Sequence, residues 1–266
     1  MKVDKVAIIG GGNLGTAIAK GLLSNNLLQA SQIAITRRRT SLLAEFKERG
    51  VVVTKDNCAA TQGADIVLLG VKPYQLEAVV KEIAPELSED TILISLATGI
   101  SSEQIQSYCP IQLPIFRAMP NTAIEIGESM TCVSAFNASE EQEGKVLELF
   151  SQMGEAIIIP EELMAASTVL AACGIAYAMR FIRAATQGGI EIGFGSKLAL
   201  QISAQTIKGA ADLLIQKGTH PEDEIDKVTT PRGVTISGLN EMEHQGFSSS
   251  LIKGLLTSFN KIENGK

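Results

Sequence analysis

Three glycines, Gly10, Gly12 and Gly15, follow the apolar run Val6-Ala7-Ile8-Ile9 and open onto a stretch with helical spacing. In a G-x-G-x-x-G string placed this way, the first glycine makes the tight turn off a strand. The second lets the backbone approach a pyrophosphate, and the third lets the helix pack closely on the strand. The free N–H groups and partial positive charge at the helix N-terminus favour an anion. The spacing therefore predicts a dinucleotide site; a turn serving packing alone is the plainer alternative. Where an NAD-preferring chain carries Asp or Glu for the ribose 2′-hydroxyl, about 20 residues past the glycines, this one reads Ile35-Thr36-Arg37-Arg38-Arg39. Guanidinium groups can hold a 2′-phosphate that a carboxylate would repel. The expected coenzyme is NADPH, with NADH weaker, and Arg37 and Arg38 are the expected readers of the phosphate. A solvated charge run is the alternative for all three arginines.

Two histidines, His220 and His244, are the whole histidine inventory. Hydride exchange between an alcohol and a ketone usually employs a general acid or base with a pKa near neutrality. Neither histidine lies in a segment expected to face the coenzyme. Reduction of an imine avoids the requirement, because the nitrogen can enter already protonated and the protein has only to align the reactants and exclude water. One segment suits such a substrate: residues 228–239, Val-Thr-Thr-Pro-Arg-Gly-Val-Thr-Ile-Ser-Gly-Leu, are dense in hydroxyls and N–H donors and open a helix. That is an anion site fit for a carboxylate, unless Thr229 or Thr230 merely caps the helix.

The elements that must position these groups alternate. Strand-like runs at 5–10, 32–36, 51–54, 65–71 and 91–95 are interleaved with helical patterns at 13–25, 40–50 and 75–87. Thr40 is the expected cap and Gly50 the expected stop of the second helix. This order implies an α/β layer with a mainly parallel sheet. Strands near 114–118, 130–134 and 155–159, with a helix at 139–153, extend it. Ligands bind at the carboxyl ends of such strands, where Val71-Lys72-Pro73, Ala97-Thr98-Gly99 and Arg117-Ala118-Met119-Pro120-Asn121-Thr122 fall. After Pro160 the pattern becomes all helical, with helices expected at 161–187, 196–218 and 248–260. The expected division is therefore 1–160 and 161–266.

Composition narrows the class. Lys and Arg number 23 against 29 Asp and Glu, and aromatics are 4% with no Trp. No basic footprint for a nucleic-acid backbone exists, and little could stack on bases. The four cysteines, Cys58, Cys109, Cys132 and Cys173, are scattered, so neither a disulfide framework nor a zinc site is expected, and no other metal site. Free thiols fit a reducing cytoplasm, and the short run before the glycines is no signal-peptide core. Residues 163–179 carry no formal charge. They fall short of the roughly 20 residues that span a bilayer, and a helix buried on nearly all sides is the expected reading rather than a membrane span.

Together these segments resemble the pyrroline-5-carboxylate reductases, which make proline in the last step of its biosynthesis. The likeness runs over nearly the whole chain: Gly10–Gly15, Gly70-Val71-Lys72-Pro73, Arg117–Thr122 and, most specific, 228–243. It implies an N-terminal Rossmann-type doubly wound sheet followed by an all-α C-terminal dimerisation domain. It implies that the backbone at Ile9, Gly10, Gly11, Gly12, Asn13 and Leu14 holds the pyrophosphate, with Thr36, Arg37 and Arg38 near the adenosine. Asn57, fifteen positions before Lys72, is similar to a ribose-contacting asparagine. Val71, Lys72, Pro73 and Ala97 resemble the residues around the nicotinamide. Thr230 and the N–H groups of Gly233, Val234 and Thr235 would hold the substrate carboxylate, the Thr235 hydroxyl would sit beside the ring nitrogen as the catalytic group, and Met119 and Asn121 would line the opposite wall. The chain departs at Arg232, where the family usually carries glycine, which bears on loop shape. The resemblance further implies homodimers through the C-terminal helices, often five in a ring. Open alternatives are a related reductase of another cyclic imine or a 3-hydroxy acid, or an NADPH sensor without catalysis.

Overall fold

A computed structural model describes residues 3–24 and 28–264. Its first element, β1 (Val6–Ile9), is wholly buried, as a Val/Ile run covered on both faces should be. The following elements are α1 (Asn13–Ser24), β2 (Ile33–Thr36), α2 (Ala44–Glu48), β3 (Val52–Thr54), α3 (Asn57–Thr61), β4 (Ile66–Leu69), α4 (Pro73–Ile83) and β5 (Ile92–Ser95). Then come α5 (Ser102–Ser107), β6 (Ile115–Met119), β7 (Ser129–Phe136), α6 (Glu140–Ser151) and β8 (Gly154–Ile158). The eight strands form one sheet in the order β3-β2-β1-β4-β5-β6-β7-β8. All pairs are parallel except β6 with β7. Alternate side chains feed two cores. Ile8, Ile35, Leu68, Ile94, Phe116 and Val133 pack with α1 and α6 on one face. Ile9, Val67, Leu69, Leu93 and Ile115 pack with α3, α4 and α5 on the other.

The chain winds outward from β1 to β3, then returns to lay β4 on the other side of β1. The carboxyl ends of β1 and β4 therefore flank a topological switch point, the crevice where sheets of this kind bind ligands. Strand register lines up one row of residues along that edge: Thr36, Ile9, Leu69, Ser95, Arg117 and Ser134.

Several local expectations change. Thr40 does not cap a single helix; Thr40–Leu43 is a 3-10 turn leading into the short α2, while Gly50 at φ +91° does end it. The short α3 and α5 were not anticipated. The helix expected at 161–187 runs Glu161–Glu191 and is not uniform. A 3-10 turn (Glu161–Leu163) leads into α7 (Met164–Ser167), a π turn (Thr168–Cys173) and α8 (Gly174–Glu191). After it come α9 (Ser196–Lys217), α10 (Pro221–Asp226), α11 (Val234–His244) and α12 (Phe247–Glu263).

Contacts divide the chain into two compact units, Met1–Cys173 with Phe259–Lys266 and Gly174–Ser258. In the second, α8 and α9 approach closely where a Cβ on Gly189 would stand 3.1 Å from that of Ala199. Phe181 meets Phe247 edge-on with ring centres 6.0 Å apart, and the Tyr177 hydroxyl bonds the Ser258 hydroxyl at 2.7 Å. Yet α8, α10, α11 and α12 contain no buried residue. The expectation that 163–179 is covered on nearly all sides fails within one chain: Leu170 is 72% exposed and Met179 58%. A single copy has too few helices to surround this segment. The whole helix Glu161–Glu191 is long and apolar enough to cross a membrane by length and composition, a property that the core helix of an assembly shares.

Candidate active site

The turn after β1 is built by close approach. Gly10 has φ +109°, and a Cβ there would lie 2.7 Å from the Gly70 carbonyl oxygen at the end of β4. A Cβ on Gly15 would run into the Gly10 carbonyl oxygen. Only glycine satisfies both positions, the first through backbone conformation and the second through space. Gly12, by contrast, faces open space, with nothing within 4 Å of a Cβ position. Its exposed backbone and the first turn of α1, which carries no acidic residue, present N–H donors and a positive dipole end to an anion. These residues fit a dinucleotide pyrophosphate.

Strand β2 secures the turn. The Gly10 N–H donates to the Thr36 hydroxyl at 3.1 Å and the Gly11 N–H to the Thr36 carbonyl at 2.6 Å. Arg37 Nη1 donates to the Gly11 carbonyl at 2.7 Å, which places a cation beside the glycines; Arg38 is exposed next to it. At the end of β4, Lys72 occupies the cap position of α4 and Pro73 its first turn, where a missing N–H does no harm. Ala97 follows β5 and donates its N–H to the Ser95 hydroxyl at 3.3 Å. Asn57 begins α3, but its amide donates to Glu82 Oε2 at 2.9 Å, so a neighbouring helix already engages it. Met119, the last residue of β6, is buried. Asn121 caps the 3-10 turn Thr122–Ile126 through the Ala123 N–H at 2.9 Å, and its Nδ2 reaches the Ala171 carbonyl in the π turn at 3.4 Å.

The threonine-rich segment lies in the other unit. Gly233, rather than Thr229 or Thr230, is the cap of α11, and no side chain accepts from the helix's first N–H groups. A Cβ on Gly233 would stand 2.6 Å from the Thr230 hydroxyl, and the Gly233 N–H donates to the Thr230 carbonyl at 2.8 Å. Thr230 and Gly233 thus form one tight turn, with Val234 and Thr235 exposed on the helix's first turn. Arg232 takes φ +63°, a left-handed conformation that costs an L-residue about 1–2 kcal/mol. His220 caps α10 with Nδ1, accepting from the Glu222 N–H at 3.3 Å, and His244 ends α11.

Residue spacing did not reveal one cluster. Glu161 Oε1 accepts from Arg117 Nη1 at 3.0 Å, from the Ser102 N–H at 2.8 Å and from the Ser102 hydroxyl at 3.0 Å. Burial alone would push this carboxyl up. The Ser102 N–H, the Arg117 guanidinium and the Ser102 hydroxyl outweigh it and hold the carboxyl below its ordinary value. Burial pushes the Cys109 thiol up to about 11 and raises that of Cys132, so neither is an activated nucleophile.

A glycine turn at a switch point, a cationic residue where the 2′-hydroxyl would sit and a helical tail define a dinucleotide-dependent oxidoreductase architecture. Residues 5–99 match the family described as NADP oxidoreductase, coenzyme F420-dependent, and residues 161–264 match pyrroline-5-carboxylate reductase dimerisation. The chain is 46% identical to pyrroline-5-carboxylate reductase 1 of Dictyostelium discoideum over 96% of its own length, though it spans about half (49%) of that protein. It is 42% identical to pyrroline-5-carboxylate reductase 2 of the same organism, over 96% of this chain and 91% of that one. Its fold matches the solved pyrroline-5-carboxylate reductase of Coxiella burnetii with a TM-score of 0.89 at 28% identity, covering 99% and 98% of the two chains. The chain belongs to the pyrroline-5-carboxylate reductase family.

Proposed function

We propose that this protein reduces 1-pyrroline-5-carboxylate to L-proline with NADPH. The observation that carries the reading is the 42% identity to a pyrroline-5-carboxylate reductase across more than nine-tenths of both chains. The coenzyme turn agrees with it. When bound, NADPH supplies the hydride that reaches the imine carbon. The backbone of Ile9, Gly10, Gly11, Gly12, Asn13 and Leu14 holds the pyrophosphate; Thr36, Arg37 and Arg38 face the adenosine end, and Arg37 and Arg38 give NADPH its advantage over NADH. Asn57 reaches the ribose by exchanging its bond to Glu82. Val71, Lys72, Pro73 and Ala97 border the nicotinamide half.

The substrate carboxylate is held by Thr230 and by the N–H groups of Gly233, Val234 and Thr235; the uncapped start of α11 leaves the last two available, and Gly233 exchanges its bond to the Thr230 carbonyl. The Thr235 hydroxyl keeps a hydrogen bond to the ring nitrogen, so that the cation formed by protonation stays aligned for hydride. Met119 and Asn121 form the opposite wall. Residues 1–160 carry the coenzyme, and 161–266 carry the substrate loop and the assembly contacts. The exposed apolar helices are covered by a second copy, giving a homodimer and a ring of five dimers, rather than by lipid or nucleic acid. The four cysteines are free, in keeping with the reducing cytoplasm as the working compartment.

The test is consumption of NADPH with pyrroline-5-carboxylate, and separately with a 3-oxo acid. Turnover of the first with proline formed supports the reading. Turnover of the second alone, or NADPH binding without turnover, overturns it.

A further inference from the structure

The roles above leave an arginine buried in the middle of β6 without a task. Arg117 is 7% exposed and stands between Ser95 and Ser134 in the strand-end row. Its Nη1 meets Glu161, but its Nε finds no partner among the described residues, and neither does the Ser134 hydroxyl. A guanidinium taken from water with a donor unpaired is a poor stabiliser. An apolar side chain of like volume often serves a core equally well or better. What the ion pair does provide is a fixed geometry.

That geometry links the parts assigned to catalysis. Glu161 opens the helical segment, and its carboxylate holds the first residue of α5, Ser102, five positions beyond Ala97. Arg117 itself lies two residues before Met119 and four before Asn121. Asn121 adds a second tether, to Ala171 in the π turn. The β6 edge therefore grips the segment from Glu161 at two points ten residues apart, about 15 Å along a helix. The coenzyme's other half belongs to β1 and β2, on the far side of β4 and β5.

We propose that Arg117 and Glu161 are positioning residues for hydride transfer: their ion pair sets the Ala97 and Met119–Asn121 edges against the nicotinamide and the imine. The inference rests on the reductase reading given above. Arg117→Met, Glu161→Gln, the double variant and Arg117→Lys are compared with wild type in the assembled enzyme. Readouts are NADPH binding by fluorescence, steady-state kinetics, and the isotope effect with NADPH deuterated at the transferred position. The single variants are expected to lose about 10- to 100-fold in kcat, as small misplacements do. NADPH affinity should stay within about twofold, and the isotope effect should rise because the hydride step becomes slower. The double variant should be no slower than the worse single one, and Arg117→Lys should recover part of the loss. Wild-type kcat and isotope effect in Glu161→Gln and Arg117→Lys would overturn the proposal. So would a kcat loss matched by an equal loss of NADPH-binding sites at an unchanged isotope effect, which marks a folding defect. If the wild type itself does not reduce pyrroline-5-carboxylate, the reductase reading falls and takes the proposal with it.

Discussion

The sheet unit and the helical unit solve burial differently. Strands β1, β2, β4, β5 and β6 are buried at every residue, and helices of the same chain cover both faces. In the helical unit, α9 contributes Ala199 as its one buried residue, while Ile192, Ile215, Ile252 and Leu256 are all more than half exposed. The first unit carries its own core. The second has an exposed apolar surface, which the proposed second copy would complete, in keeping with its match to a dimerisation family. The coenzyme turn therefore belongs to the self-sufficient part, and the proposed carboxylate loop belongs to the part that depends on assembly.

The sharpest way to break this contrast is on α12. Ile252→Glu combined with Leu256→Glu should dissociate the oligomer and abolish turnover. Two apolar side chains of this size contribute about 1.5–3 kcal/mol each when covered, so the dimer constant should weaken by at least 100-fold, about 2.8 kcal/mol or more. NADPH binding should survive. Light scattering coupled to gel filtration reads the first effect and fluorescence the second; an active monomer would show that assembly is dispensable. The reverse lesion is Gly15→Ala, whose Cβ meets the Gly10 carbonyl oxygen. It should destabilise the sheet unit by about 1–3 kcal/mol and remove NADPH binding while the oligomer persists. Unaltered coenzyme titration would mean that the turn tolerates a side chain.

The glycine turn was largely legible in the residues. The run Val6-Ala7-Ile8-Ile9, the glycines and the arginines are local signals, and the structure places Arg37 on the Gly11 carbonyl. Replacing Arg37 and Arg38 with Met should therefore raise the Michaelis constant for NADPH about 10-fold or more, since hydrogen bonds to charged groups are worth about 1.5–3 kcal/mol. The value for NADH should barely move. Equal changes for both coenzymes would detach the arginines from the 2′-phosphate.

Other features had no local signal. Helices α3 and α5 span five and six residues, too few turns for an apolar period to show. The sequence around His220-Pro221 reads as a loop, whereas His220 caps the short α10. Nothing in the composition of 168–173 announces a π turn, and Glu161 lies 44 residues from the arginine it pairs with. The uncharged stretch 163–179 suggested full burial, because a periodicity argument sees an apolar helix but not which chain covers it.

Smaller effects refine the helical unit. Thr235→Ala should lower kcat/KM by about 1–2 kcal/mol, roughly 5- to 30-fold, by removing the proposed hydrogen bond at the imine nitrogen. Unchanged kinetics would exclude its hydroxyl from the reaction. Arg232→Gly should raise stability by up to about 1 kcal/mol, because glycine holds φ +63° without strain; a lower melting temperature would show that the arginine makes a compensating contact in the assembly.

The most direct measurement follows the transferred atom. Incubation of the enzyme with NADPH deuterated at its transferable position and pyrroline-5-carboxylate should yield proline carrying a single deuterium on the former imine carbon, as mass and NMR spectra would show. Proline without the label, or NADPH consumed with no proline formed, would contradict the account.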